Sequence, residues 1–118
     1  MKIIATLIVG FSLMSCSGDR THAKEAEIQI KNIVKSAGQY KLHYGELPPD
    51  CWETMKEIGL IEMKTAITEK WEFFCSWQWD DVDGMIGTVS ATPTFGGNTI
   101  EYDIEYGDFT GYGQGSEY

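Results

Sequence analysis

Asp80, Asp81 and Asp83, followed by Gly84, are the densest set of hard oxygen ligands in the sequence. Asp81-Val82-Asp83-Gly84 is a fragment of a calcium-loop pattern. The distal bidentate glutamate of such loops is missing, and the same residues make an ordinary solvated hairpin turn. The turn is favoured, and calcium at Asp80, Asp81 and Asp83 is the one cofactor expectation. Just before it, Trp71, Trp77 and Trp79 share a face if the chain alternates there, with Trp52 nearby in sequence. A flat aromatic strip can stack on sugar rings. The competing reading is a core face, where burial contributes about 25 cal/mol per Å². Trp71 and Phe73 are assigned to core. Trp77 and Trp79 are the candidate ligand-binding residues, Trp79 above all because it abuts the charged turn.

Catalysis is poorly served. His22 and His43 have no nucleophile in a recognisable context. No Gly-x-Ser-x-Gly, His-Glu-x-x-His, P-loop or dinucleotide motif occurs. The chain is therefore expected not to be an enzyme. Eighteen acidic residues against nine basic ones give a net charge of −9. Such a surface repels phosphates, which excludes nucleic acid as a partner and electrostatic adhesion to anionic lipid.

The elements that must position these residues follow from periodicity. Ala23, Ala26, Ile30, Ile33, Val34, Ala37, Tyr40 and Tyr44 recur at steps of three and four, which predicts one helix from about Ala23 to Tyr44. Thr21 can cap it, and Lys31, Lys35 and Lys41 suit its later turns. Gly38 inside it costs about 1 kcal/mol relative to alanine, unless it admits a strand or another chain. Gly45 and Pro48-Pro49 end the helix. Asp50 and Glu53 have capping-box spacing, so a short helix is predicted over about 51–58, with Trp52, Met55 and Ile58 inward. From Lys70 the period becomes two. Strands are predicted for Trp71–Trp79, Met85–Thr92 and Thr99–Tyr106, with a short edge strand near Phe109. Helices followed by a meander predict an α+β domain, the long helix packed on a three- to four-stranded antiparallel sheet.

The N-terminus carries a different signal. Lys2 and the apolar run Ile3–Met14 predict a secretory signal, too short for a transmembrane helix, which needs about 20 apolar residues. Leu13-Met14-Ser15-Cys16 resembles the bacterial lipobox. In that family cysteine receives a diacylglycerol and becomes the mature N-terminus. The resemblance implies a signal peptide over 1–15, lipid on Cys16 and a tether over 16–22. Ser17 resembles outer-membrane sorting, so a lipid-anchored location in the cell envelope, at the outer membrane, is expected. The membrane would be a partner through the anchor. About a hundred residues remain, enough for one small domain. With Cys16 lipidated, Cys51 and Cys75 are the remaining pair, and an exported compartment permits their disulfide. It would contribute about 3 kcal/mol. Two buried thiols are the other reading. No ligand spacing supports a metal site at these cysteines.

The order of elements resembles the type IV pilins and the pseudopilins of type II secretion. The residues that carry this are Tyr40-Lys41-Leu42-His43-Tyr44-Gly45-Glu46-Leu47-Pro48 at the helix exit, Ile58-Gly59-Leu60-Ile61, and Trp71-Glu72-Phe73. Ile86-Gly87-Thr88-Val89-Ser90-Ala91-Thr92 and Ile100-Glu101-Tyr102 follow. The resemblance covers about 23–110, with a flexible tail over 111–118. The apolar half of the pilin helix, which packs subunits into a filament, is lacking. What the resemblance implies is a fold more than an activity. A non-enzymatic envelope protein that contacts other proteins through the glycine–tyrosine tail and an exposed strand edge is the leading expectation. A carbohydrate-binding module using Trp77 or Trp79, with a glycan as partner, is the alternative. An accessory subunit of a secretion or pilus machine is a third.

Overall fold

A computed structural model describes residues 18–111, with side chains described from residue 23. The expected signal peptide, Cys16 and the tail beyond Gly111 lie outside the described residues. Helix α1 (Gly18–Tyr44) is followed by two short helices, α2 (Glu53–Glu57) and α3 (Thr65–Lys70). Strands β1 (Trp71–Asp80), β2 (Gly84–Pro93), β3 (Ile100–Asp103) and β4 (Asp108–Gly111) complete the chain. The four strands form an antiparallel meander in the order β1-β2-β3-β4. The fold is α+β, with one long helix and a four-stranded antiparallel sheet.

Helix α1 buries Ala23, Ala26, Ile30, Ile33, Ala37 and Tyr40, the stripe that steps of three and four bring to one side. Against it lie Trp71 and Phe73 of β1, Val89 and Ala91 of β2, and Ile100 of β3, all in the same buried cluster. Small residues on the helix and in the middle of β2 let the two layers approach. Met55, Ile61 and Met63 from the connecting segment complete this core. The Ser36 hydroxyl donates to the Leu60 carbonyl at 3.4 Å and ties that segment to the helix.

Four expectations are corrected. The helix begins at Gly18 instead of near Ala23, so position 21 falls within it. Gly38 admits no close backbone: a Cβ there would meet only the Met85 Cε, at 3.9 Å. The second helix spans only Glu53–Glu57, and Ile58, expected inward, is exposed just past its end. The third strand ends at Asp103 instead of Tyr106. There the Asp103 carboxylate accepts from the Tyr106 amide at 3.0 Å, and its carbonyl accepts from the Gly107 amide at 2.8 Å. This turn folds β4 back onto β3, so Tyr106 is exposed instead of sharing the Ile100 face.

Helix α3 is an addition to the predicted elements. It runs into β1 without a loop, Trp71 being already extended. The Thr94 amide donates to the Lys70 carbonyl at 2.7 Å and the Thr94 hydroxyl to the Glu69 carbonyl at 2.6 Å, which pins the end of β2 to α3. Lys70 also pairs with Glu25 at 3.7 Å. That pair is partly exposed and contributes little to stability.

Candidate functional site

Strand β1 is ten residues long and pairs with β2 over its whole length, from Trp71 opposite Pro93 to Asp80 opposite Gly84. Among the described residues no strand lies on its other side. Instead the segment 48–53 runs alongside. Pro48 and Pro49 keep that segment out of helix. Asp50 then caps α2, accepting from the Thr54 amide at 3.2 Å and from the Thr54 hydroxyl at 2.7 Å. Glu53 accepts from the Trp52 amide at 2.9 Å. Both acids of the predicted capping box therefore accept amides at the start of α2, Asp50 one residue and Glu53 two residues away from the usual partner.

Cys51 and Cys75 form a disulfide, with Cα atoms 5.1 Å apart. It is the covalent tie between the segment and the strand. Among the described residues no backbone hydrogen bond joins 48–53 to 72–80. The segment thus lies beside the strand edge without pairing to it. Between them is a groove of about 500 Å³, lined by Pro48, Pro49, Asp50, Phe74, Ser76 and Trp77 among others. It continues into a second concavity of about 270 Å³ that adds Trp52, Thr68 and Glu72. The two share Glu53, Phe73 and Phe74, so they form one run along β1. Asp50, Glu53 and Glu72 make the run acidic, and no Lys, Arg or His lines it. Lys56 stands at its margin, 5.8 Å from the centre of the Trp52 ring.

The two candidate tryptophans separate. Trp77 is half-buried and forms part of the groove wall. Trp79 is 45% exposed at the far end of β1, with the Lys41 ammonium 4.9 Å from its ring centre. One Trp79 face is therefore approached by a cation, whereas Trp77 lines the groove. Trp71 and Phe73 are buried, as core residues should be.

The aspartates do not converge on a point. The Asp80 carboxylate accepts from the Val82 amide at 2.8 Å and the Asp83 amide at 3.0 Å. The Asp83 and Val82 amides hold this carboxyl below its ordinary value, because they stabilise the charged form. Asp80 is thus a turn cap, and Asp81 and Asp83 project from an exposed loop. Among the described residues no group of three His, Cys, Asp or Glu side chains could hold a metal ion. His43 is exposed at the end of α1, its ring 6.4 Å from that of Tyr44.

No family model, curated protein or solved structure matches this chain.

The groove residues were largely missed in the sequence. Phe74 carried a signal: alternation puts it among Glu72, Ser76 and Gln78 on the polar face, where it is the apolar exception, and it is 61% exposed. Glu53 and Glu72 carried none, because acidic residues are common throughout the chain. What brings them together is the disulfide, which draws residues 48–53 to the strand.

Proposed function

We propose that this chain is a lipid-anchored protein of the cell envelope, non-enzymatic, whose pilin-like α+β domain makes contacts with other proteins. The Cys16 lipid would sit in the outer membrane. The observation that carries this reading is the succession of the Leu13–Cys16 motif and a helix that starts at Gly18. A helix of 27 residues is about 40 Å long. It would hold the helix-exit end of the sheet, with Trp79 and the Asp80 turn, well away from the bilayer. No described helix is long and apolar enough to cross a membrane, so attachment would rest on the acyl chains. The pilin-like part of the reading rests on element order, a long helix leading into an antiparallel meander.

Intact mass of the protein extracted from membranes tests the anchor. The expected mass begins at Cys16 and includes acyl chains. A mass without lipid would overturn the anchored reading.

The exposed Trp79 ring favours a second reading, binding of a surface polysaccharide. Retention on insoluble polysaccharide, lost in Trp79→Ala, would support it, and absence of retention on any glycan would remove it.

A further inference from the structure

Four surfaces outside the core are distinctive: the Lys41–Trp79 pole, the aspartate turn, the exposed outer face of the sheet and the groove along β1. Only the groove combines a concave shape, one sign of charge and backbone available for pairing.

A strand at the edge of a sheet presents unpaired N–H and C=O groups, and proteins normally protect such edges with lysine, proline, bulges or short length. Strand β1 has none of these devices. It has ten residues, with no lysine, proline or glycine among them. It carries Trp71, Phe73, Phe74, Trp77 and Trp79, and its only charges are Glu72 and Asp80. Among the described residues, the disulfide-held segment stands beside the edge without a backbone hydrogen bond to residues 72–80. From Glu72 to Trp77 the groove follows about six residues, close to 20 Å, which matches an ordinary strand.

We propose that this groove is a binding site for an extended, basic polypeptide segment, which adds to the free edge of β1 as a fifth strand. Main-chain pairing to β1 supplies the attachment, and alternate side chains enter the groove on either side. Phe74 and Trp77 receive the apolar side chains. Asp50, Glu53 and Glu72 select lysine or arginine in the partner, since the groove has no cation of its own. A neutral glycan would use the aromatic rings but neither the strand edge nor the charge, so the peptide accounts for more of the site. The proposal rests on the protein-contact reading above and names the chemistry of the contact. It does not depend on the anchor: loss of the lipid would leave peptide binding intact, and absence of peptide binding would leave the mass at Cys16 unchanged.

The test uses the full chain in detergent micelles and an eight-residue peptide of alternating lysine and valine. Its comparison peptides replace lysine by glutamate, or carry N-methyl groups on the central amides. Binding is followed by amide chemical shifts. The expected result is saturable binding that perturbs residues 48–53 and 72–77. The glutamate peptide and the N-methylated peptide should not bind. Glu53→Lys combined with Glu72→Lys should weaken binding about ten-fold, since each partly screened pair contributes modestly. Glu53→Gln with Glu72→Gln, which removes charge without reversing it, should weaken it by less. Undisturbed shifts in α1 and β3 show that these variants remain folded. Binding indifferent to N-methylation would reduce the effect to charge alone and overturn the proposal. So would absence of binding at millimolar peptide, or perturbation of Phe74 and Trp77 by maltohexaose but not by the peptide.

Discussion

The two edges of this sheet are built on opposite principles. Strand β4 is described over four residues, Asp108–Gly111. Asp108 puts a charge on this outer strand, directly across from Asp103, and charged side chains on an edge discourage a further strand. Its one large apolar side chain, Phe109, is covered by the Tyr102 ring at 4.6 Å and approached by the Lys31 ammonium at 5.7 Å. Strand β1 is long, aromatic and nearly uncharged, and a cross-linked segment stands beside it without pairing. One edge is protected by its own residues. The other is defined by a piece of chain brought from twenty-four positions away. An edge left open but walled is how a sheet can be selective about what pairs with it.

The largest expected effect comes from removing the long edge altogether. Gly87 lies opposite Trp77 with φ at +116°, and a Cβ there would collide with the Ser76 carbonyl oxygen and the Trp77 Cα. Gly87→Val combines this clash with backbone strain and should cost about 3 kcal/mol or more. Urea denaturation should show a chain unfolded or nearly so, and an unchanged midpoint would mean that β1 and β2 do not approach as described. Removing only the wall is the next test. Cys51→Ala with Cys75→Ala should cost about 3 kcal/mol while the four strands persist. Amide exchange should then accelerate in 48–53 far more than in β3 and β4, and equal acceleration at both edges would erase the distinction between them.

A change to the helix that both edges share should act in the opposite direction. Because a Cβ at position 38 meets only ordinary contact with Met85, Gly38→Ala should stabilise the chain by about 1 kcal/mol. A rise in thermal midpoint checks it, and a fall would show that the helix and sheet are closer than the contact implies. The smallest effect concerns the hairpin that ends β1. The Asp80 carboxyl is held below its ordinary value by the Asp83 and Val82 amides, so its contribution is present above the unfolded-state value. That contribution is lost only as pH falls through the lower, folded value. A carboxyl titration followed by NMR should place Asp80 below the ordinary aspartate value, and Asp80→Ala should loosen the turn with little change elsewhere.

Much of this architecture was legible because it repeats locally. The stripe on α1, the alternation of β1 and the turn at Asp80–Gly84 are periodic or carry turn chemistry, so short-range rules find them. The short β4 near Phe109 was anticipated as well. Helix α3 was not, because Thr65–Lys70 is too short to show a period and its N-cap residue, Lys64, makes no side-chain cap. The end of β3 was misjudged although Asp103 and Gly107 are turn residues, because Ile104 and Tyr106 continue the alternation past the turn. Ile58 falls on the predicted inner face, but its helix stops at Glu57 and the following residues take the buried positions at Ile61 and Met63.

Sequence by itself determined the α+β class, the core stripe of α1 and the net negative charge, and it offered the Cys51–Cys75 disulfide as one of two readings. These depend on local spacing, composition and the number of cysteines. Only the tertiary structure decided that Trp77 lines a groove while Trp79 stands under Lys41, that Asp80 caps a turn, and that Glu53 and Glu72 lie along the same concavity. Those outcomes depend on which segments meet across the fold. A disulfide, two prolines and the register of β1 on β2 set those meetings, and none of them leaves a periodic trace in the chain.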